Sequence, residues 1–172
     1  MFEIIGQFLT AILGIIPRLV IVRATHRGIK FRLGKYPKEL KPGLHFYWPL
    51  VSQVDLMVVA RQTNTLAPQV LQTQDGKSVV ATGFIVFFVY DVVLAAGEKN
   101  WDADTTVNDI TRSAIMDIVS SNTYEYLARG RVPKLTSRCR AALKQFGIGV
   151  KRVGFVDFCQ CKVYRVVGGS QI

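Results

Sequence analysis

Few side chains in this 172-residue sequence have the types and spacing that catalysis or metal binding needs. The candidates are two histidines, three aspartates near a helix start and three cysteines: His26, His45, Asp102, Asp104, Asp109, Cys139, Cys159 and Cys161. Aspartates at a helix start are typical of caps, and the apolar surroundings of His45 favour a hydrogen-bonded structural histidine. We therefore expect no enzymatic activity, no cofactor and no metal site. The alternative is a thiol-dependent hydrolase that uses Cys139.

Basic residues form a dense cluster between residues 18 and 41. Eight cations against a single acid, Glu39, give this segment +7 of the chain's formal charge of +10. We call these cations the basic collar: Arg18, Arg23, Arg27, Lys30, Arg32, Lys35, Lys38 and Lys41. Basic charge beside an apolar segment marks the cytoplasmic side of a membrane and attracts anionic lipid.

The lipid contacts of the collar are assigned to its first six members: Arg18, Arg23, Arg27, Lys30, Arg32 and Lys35. Nucleic acid is the alternative partner for a basic patch. The collar has neither a recognition helix nor an aromatic RNA-binding strand, so we expect no nucleic acid. The globular part of the chain is expected on the cytoplasmic face of a membrane.

An apolar N-terminus comes directly before the collar, with nine large apolar residues among the first 16. A straight transmembrane helix takes about 20 residues, so the segment either spans as a helix kinked at Pro17 or inserts part of the way. We predict a membrane anchor over residues 1–22. Its lipid-facing side chains are Phe2, Ile5, Phe8, Leu9, Ile12, Leu13 and Ile16. A helix packed on its own domain is the alternative.

An aromatic stretch is the second predicted membrane contact. Phe46, Tyr47 and Trp48 follow a turn at Pro42-Gly43. Tyrosine and tryptophan favour the headgroup level of a bilayer, because one end of each ring is apolar and the other forms hydrogen bonds. The alternative is that these residues fill the core of the domain.

The pattern after the anchor begins with strands. Residues 19–25 and 29–33 predict a hairpin around a turn at His26-Arg27-Gly28, in which the glycine is free to take a positive φ. Asp75-Gly76 predicts a second hairpin, between residues 65–73 and 78–90. The second arm of this hairpin is apolar on both faces, which is typical of a central strand.

Helical periodicity follows. It predicts a helix capped by Asp104 or Thr105, with a break near residues 120–122, and a further helix from Pro133 to a cap at Gly147. A late strand begins at Ile148. This order of strands, helices and strand predicts an α+β fold. We divide it into the anchor, a β-rich first lobe over residues 23–93 and an α+β second lobe over residues 94–172.

Several fragments occur together in one order. They are Arg27–Lys35, Lys41–Phe46 with Pro49, Thr73–Gly76 before a strand ending at Tyr90-Asp91, Leu127–Arg129 and Phe146–Val150. In this order the chain resembles the stomatin, prohibitin and flotillin group, called the SPFH or band 7 family, over residues 20–158. The resemblance implies an antiparallel β-meander with two or three helices and a late strand.

The resemblance also implies a function. Family members look like membrane-anchored scaffolds whose copies assemble side by side into rings and confine lipids and partner proteins. The expected partners are therefore further copies of this chain and membrane lipids, anionic ones in particular. The alternative is a regulatory adaptor that binds and restrains a membrane protease or channel.

One departure from the family pattern bears on assembly. Where the family continues into a long Ala/Glu-rich helix, the residues after Asp157 carry no heptads, so we expect no coiled-coil wall. A natural short form and a truncated chain are both open. Assembly would then use the globular domain, in a head-to-tail contact between opposite charges of neighbouring copies. The residues assigned to this contact are Arg138, Arg140, Lys144, Asp109 and Asp117. The alternative is that these charges are solvated and pair within one chain.

Overall fold

The computed structural model describes residues 16–96, 102–130, 132 and 134–162. Within them the strands are β1 (Arg18–Val22), β2 (His26–Arg32), β3 (Tyr36–Leu40), β4 (Gly43–Tyr47), β5 (Ser52–Val58), β6 (Gln62–Thr65), β7 (Gln69–Gln72), β8 (Ser78–Val89) and β9 (Ile148–Gln160). The helices are α1 (Val92–Ala95), α2 (Ala103–Ser120), α3 (Tyr124–Ala128) and α4 (Leu135–Lys144). Strands come first, helices follow β8 and a last strand ends the order, so the α+β class is confirmed.

The chain divides into two compact units built from interleaved segments. Unit 1 takes residues 1–62, 88–104 and 143–149. Unit 2 takes residues 63–87, 105–142 and 150–172. The predicted lobe boundary at residue 93 stays a prediction.

Unit 1 contains two small sheets. In one, β1 pairs antiparallel with β4, and in the other β2 lies between β3 and β5. The predicted hairpin of β1 with β2 is therefore wrong, and so is a simple meander. A turn at residues 23–26 separates the two strands. In this turn the His26 amide donates to the Arg23 carbonyl oxygen at 3.0 Å. The alternation of apolar residues predicts strands, but it carries no information about which strands pair.

Gly28 lies inside β2 and not in the predicted turn. A Cβ at this position would lie 3.1 Å from Leu40 Cβ and 3.4 Å from a methyl group of Val22. The missing side chain thus lets β1 and β3 approach β2 closely, which is a packing role and not a matter of positive φ.

The predicted anchor lies mostly outside the described residues, which begin at residue 16. Its last seven residues, 16–22, are described, and five of them do not continue an anchor helix. Arg18–Val22 form β1, whose backbone groups pair with Gly43–Tyr47. Pro17 disfavours continuation of a helix, and the β-branched residues after it suit a strand. Among the described residues, the structure contains no helix with the length and apolar content needed to cross a bilayer.

Unit 2 is built around β8. This strand lies between β6 and β7 and also pairs with β9. Every second residue of β8 is buried and the others are half-buried, so the predicted central strand is confirmed. The Asp-Gly hairpin is confirmed too, because Gln72 pairs with Ser78 across the turn.

One predicted strand is in fact two. Residues 65–73 are interrupted at Leu66-Ala67-Pro68, and the resulting β6 and β7 lie on opposite sides of β8. Pro68 has no amide hydrogen to donate to a ladder, so it is suited to the connection between strands. The Leu66 amide still donates to the Gly83 carbonyl at 2.8 Å.

The longer helices follow the predicted order, whereas the short helix α1 was not predicted. The last helix, α4, is described from Leu135, because its predicted first residue Pro133 lies outside the described residues. The start of α2 is capped by the carboxylate of Asp102 and not by that of Asp104, since Asp102 Oδ1 accepts from the Asp104 amide at 3.0 Å. The predicted break near residues 120–122 is confirmed by the gap between α2 and α3. In α4 the predicted apolar stripe is confirmed at Leu135, Cys139 and Leu143, which are buried.

Candidate membrane-contact surface

An exposed hydrophobic surface lies on the β1–β4 pair. The register places Leu19 opposite Phe46 and Ile21 opposite Leu44, so these four side chains share one side of the two strands. They are 51–65% exposed. We call these four residues the apolar face. On the opposite side, Val22 is buried. Large side chains held in water on one side of a strand pair indicate a surface that meets a partner or a lipid.

The aromatic stretch continues this surface. Phe46, Trp48 and Leu50 are 63%, 53% and 66% exposed, whereas Tyr47 is half-buried. The alternative that the stretch fills the core is therefore wrong for Phe46 and Trp48, while lipid contact stays a prediction. Of the predicted anchor side chains, Ile16 is exposed just before β1. Those from Phe2 to Leu13 lie outside the described residues.

A cavity of about 660 Å³ in unit 1 joins basic and apolar side chains. We call it the basic pocket, and it is lined by Lys30, Arg32, Leu33, Lys38, Leu40, His45 and Phe46. Lys30 of β2 is directly opposite Lys38 of β3. Phe46 belongs to both the basic pocket and the apolar face, so the cations of the pocket lie at the edge of that face.

The cations of the pocket lack carboxylate counter-ions in the part of the chain that the structure describes. Within the described ranges, Lys30, Arg32 and Lys38 form no ion pair with a carboxylate. Arg27 differs, because its guanidinium Nε lies 3.4 Å from Glu39 Oε1. Arg27 was predicted to bind lipid, but its charge is already partly neutralised. The other predicted lipid contacts, Arg18, Arg23 and Lys35, are exposed.

His45 is a structural residue of the pocket wall. Its Nε2 lies 2.7 Å from the Lys41 carbonyl oxygen. Because a carbonyl oxygen only accepts, Nε2 must carry the hydrogen. The bond spans the connection from β3 to β4 and fixes the turn that presents Leu44 and Phe46. The expectation of a hydrogen-bonded structural histidine is confirmed.

Cys139 does not have the properties of a nucleophile. Burial in α4 raises the pKa of its thiol to about 11. The reactive form of cysteine is the thiolate, which a raised pKa disfavours at neutral pH. The hydrolase alternative therefore loses its nucleophile. Among the described residues, no three His, Cys, Asp or Glu side chains are grouped so that they could hold a metal ion.

The residues predicted to join neighbouring copies are all on the surface. Arg138, Arg140, Lys144, Asp109 and Asp117 are exposed, and among the described residues none of them forms an ion pair. The guanidinium Nε of Arg140 donates to the Val150 carbonyl at 3.2 Å. Among the described residues these charges do not pair within one chain, and their exposure agrees equally with the alternative that they are solvated.

Asp75 connects the β7–β8 turn to the start of α3. Its Oδ1 accepts from the Thr73 hydroxyl at 2.6 Å and from the Tyr124 amide at 3.0 Å. Lys77 Nζ lies 3.1 Å from Oδ2. The bond from Thr73 is the largest of the influences that hold the pKa of Asp75 well below its usual range. The sequence indicated the Asp-Gly turn but not its contact with α3.

We expect Asp75→Asn to lower the melting temperature at neutral pH, because the uncharged amide accepts these bonds less well. A carboxylate with a lowered pKa stabilises the fold above its unfolded pKa of about 4. That stabilisation is lost as the pH falls through the folded pKa, so the difference between variant and parent should shrink in acid. The measurement is thermal unfolding from neutral to acidic pH. Asp157→Asn, at an exposed carboxylate, is the control. Equal effects of the two variants would contradict the role of Asp75.

Sequence reasoning missed several residues of this surface. Leu19, Ile21, Leu44 and Leu33 were not predicted to be exposed, and Lys38 was placed in the collar without a site. Residues 44–46 alternate between apolar and polar types, and residues 19–22 are apolar on both sides of the strand, so both segments contained a signal for exposed apolar side chains. The signal alone could not show that the exposed sides of β1 and β4 lie next to each other, because that depends on how the two strands pair.

A family model described as SPFH domain / Band 7 family matches residues 20–164 of the chain. The chain therefore belongs to the SPFH, or Band 7, family, whose members are generally membrane-associated and scaffold-like. A comparison with curated proteins finds none that matches. Membership agrees with the five sequence fragments and with the mixture of strands and helices.

Proposed function

We propose that this protein is a membrane-anchored scaffold on the cytoplasmic face of a membrane. Its copies assemble into a ring or patch that organises lipids and membrane proteins. The observation that carries the proposal is the apolar face, which is exposed, borders unpaired cations and directly follows the apolar N-terminus. Exposed hydrophobic area next to basic charge is the combination that favours an anionic bilayer surface.

Family membership supports the scaffold part of the proposal. The assembly contact would place Arg138 and Arg140 of one copy against Asp109 and Asp117 of the next. These side chains are exposed and, in the described part of the chain, lack ion pairs of their own. Acidic and basic surfaces on successive elements suit a head-to-tail contact, which closes into a ring when the rotation between copies permits.

Reversing both arginines, in Arg138→Glu with Arg140→Glu, is expected to break the assembly into smaller species. Close charge pairs across an interface couple by about 1.5 kcal/mol or more each, so replacing two attractions by repulsions should weaken association by at least about a hundredfold. The measurement is particle size by electron microscopy and mass photometry of the full chain in detergent. Adding Asp109→Lys and Asp117→Lys should restore part of the assembly.

The matched control reverses two exposed cations elsewhere, in Arg61→Glu with Lys162→Glu, and should leave the particle unchanged. If both double variants shrink the particle equally, the contact lies elsewhere. A parent chain that stays monomeric in detergent and in lipid would contradict the scaffold. It would favour the regulatory adaptor of a membrane protease or channel.

A further inference from the structure

The basic pocket places cations and exposed apolar side chains around one cavity. We propose that it binds the phosphomonoester headgroup of an anionic phospholipid, with the acyl chains leaving along Leu33 and Phe46. The proposal rests on the membrane function proposed above and adds a lipid selectivity to it. Phosphatidic acid is the simplest lipid of this class.

The charge arrangement calls for a counter-ion. Lys30 and Lys38 are a directly opposed cross-strand pair, and like charges in that position repel. Arg32 follows two residues after Lys30 and therefore lies on the same side of β2. None of the three is paired with a carboxylate in the described ranges. An anion bound between them would replace the repulsion by attraction.

A phosphomonoester fits this arrangement better than other lipid headgroups. It carries a charge of about −1.5 to −2 at neutral pH and offers three strong acceptor oxygens. The arginine fork can take two of these oxygens, and each lysine binds as a point charge. Ethanolamine and choline headgroups end in an ammonium group, and the serine headgroup carries an ammonium group beside its carboxylate. The described lining of the pocket contains no carboxylate to receive it.

The apolar side of the pocket indicates a lipid and not a free phosphate. Leu33 is 69% exposed and has a φ of +51°, a left-handed conformation that costs energy for a bulky residue. The tight turn between β2 and β3 requires this conformation, and it holds the Leu33 side chain at the mouth of the pocket. Phe46 contributes both to the pocket and to the apolar face, and its carbonyl oxygen lies 3.4 Å from Lys30 Nζ. A phosphate held by the cations therefore lies next to the surface proposed to meet hydrocarbon.

The test uses the full chain in a neutral detergent and calorimetric titration with three probes. They are dioctanoyl phosphatidic acid, dioctanoyl phosphatidylserine and glycerol 3-phosphate. We expect phosphatidic acid to bind at least about tenfold more tightly than phosphatidylserine, because charge-assisted bonds to the second phosphate charge are lost in the latter. Glycerol 3-phosphate shares the phosphate but lacks acyl chains, and should bind more weakly than phosphatidic acid.

Two sets of variants locate the site. The triple variant Lys30→Gln, Arg32→Gln, Lys38→Gln should weaken phosphatidic acid binding at least about tenfold. The control Arg61→Gln, Arg112→Gln, Lys162→Gln removes the same charge from three exposed cations outside both the collar and the pocket lining, and should change binding by less than about threefold. Leu33→Asn keeps a residue type that tolerates positive φ. It should weaken phosphatidic acid binding and leave glycerol 3-phosphate binding unchanged.

Each outcome is decisive. If the two triple variants lose binding equally, or if phosphatidic acid and phosphatidylserine bind equally tightly, the lipid is held by diffuse electrostatic attraction and not by the pocket. Neither result would contradict the scaffold function. Glycerol 3-phosphate binding as tight as phosphatidic acid would overturn the lipid as ligand. A parent chain that stays monomeric but still prefers phosphatidic acid would overturn the proposed scaffold function and leave the lipid site standing. If circular dichroism finds the pocket variant unfolded, the single changes Arg32→Gln in the pocket and Arg61→Gln outside it make the same comparison.

Discussion

The full chain is expected in the membrane fraction, and a chain shortened to residues 16–172 is expected to leave it. The shortening removes eight large apolar residues and none of the described strands, since β1 begins at Arg18. Burying one such side chain contributes about 1.5–3 kcal/mol, so the partition between membrane and solution should fall by more than about a hundredfold. Sedimentation with vesicles measures it. Pelleting at the parent level, with aggregation excluded, would contradict the anchor.

The shortened chain should keep a weak affinity for anionic vesicles through the apolar face. Trp48 can report this contact once Trp101→Phe removes the second tryptophan. We expect its emission to shift to the blue and to be protected from an aqueous quencher when anionic vesicles are added, because the ring enters the headgroup region. An identical spectrum with and without lipid would mean that Trp48 does not touch the membrane.

A matched pair of substitutions separates the apolar face from hydrophobicity in general. Phe46→Ser removes an exposed ring from the face, whereas Met116→Ser removes an exposed side chain from α2. The first should weaken vesicle binding of the shortened chain by about tenfold or more, in line with the area lost, and the second should have little effect. Equal losses would show that the face has no particular role.

Local patterns were sufficient to predict most elements. The alternation in β8, the Asp75-Gly76 turn and the stripe of Leu135, Cys139 and Leu143 depend on residues close in sequence. Their periods of 2.0 and 3.6 are properties of a single strand or helix. These elements therefore appear where the sequence places them, and the α+β class follows from their order.

Strand partners could not be predicted in the same way. The sequence places Val22 only a few residues before β2, yet the structure pairs β1 with β4, some twenty residues further along. Pairing depends on packing between distant segments. Gly28 illustrates the difficulty. Its sequence context suggests a turn, whereas in the structure its missing side chain makes room for Leu40 and Val22.

The candidate site shares this limit. The collar, Phe46 and Trp48 were recognisable from composition and order alone. The strand register decides the rest. It places Lys30 opposite Lys38, and it puts four apolar side chains on one side of their strands: Leu19, Ile21, Leu44 and Phe46. A shift by one residue would move every one of these side chains to the other side of its strand.

Gly147→Ala is expected to destabilise the shortened chain by about 3 kcal/mol. Gly147 has a φ of +69°, and a left-handed conformation costs a non-glycine residue about 1–2 kcal/mol. An added Cβ would also collide with the Asp91 carbonyl oxygen and approach Leu94 Cβ to 3.1 Å. Overpacking of this kind costs about 1–3 kcal/mol more. The measurement is the free energy of unfolding in urea.

Gly130→Ala is the matched control, because Gly130 has a φ of +72° but nothing within 4 Å of an added Cβ. It should cost only the conformational term of about 1–2 kcal/mol. The difference between the two variants isolates the collision with Asp91. That contact matters because the Gly147 carbonyl accepts from the amides of Tyr90 and Asp91, at 3.0 and 3.2 Å. A side chain at Gly147 would force the end of β8 away from the start of β9. If both variants lose the same free energy of unfolding, the backbone around Gly147 accommodates the added Cβ without cost. Gly147 would then be needed only for its positive φ.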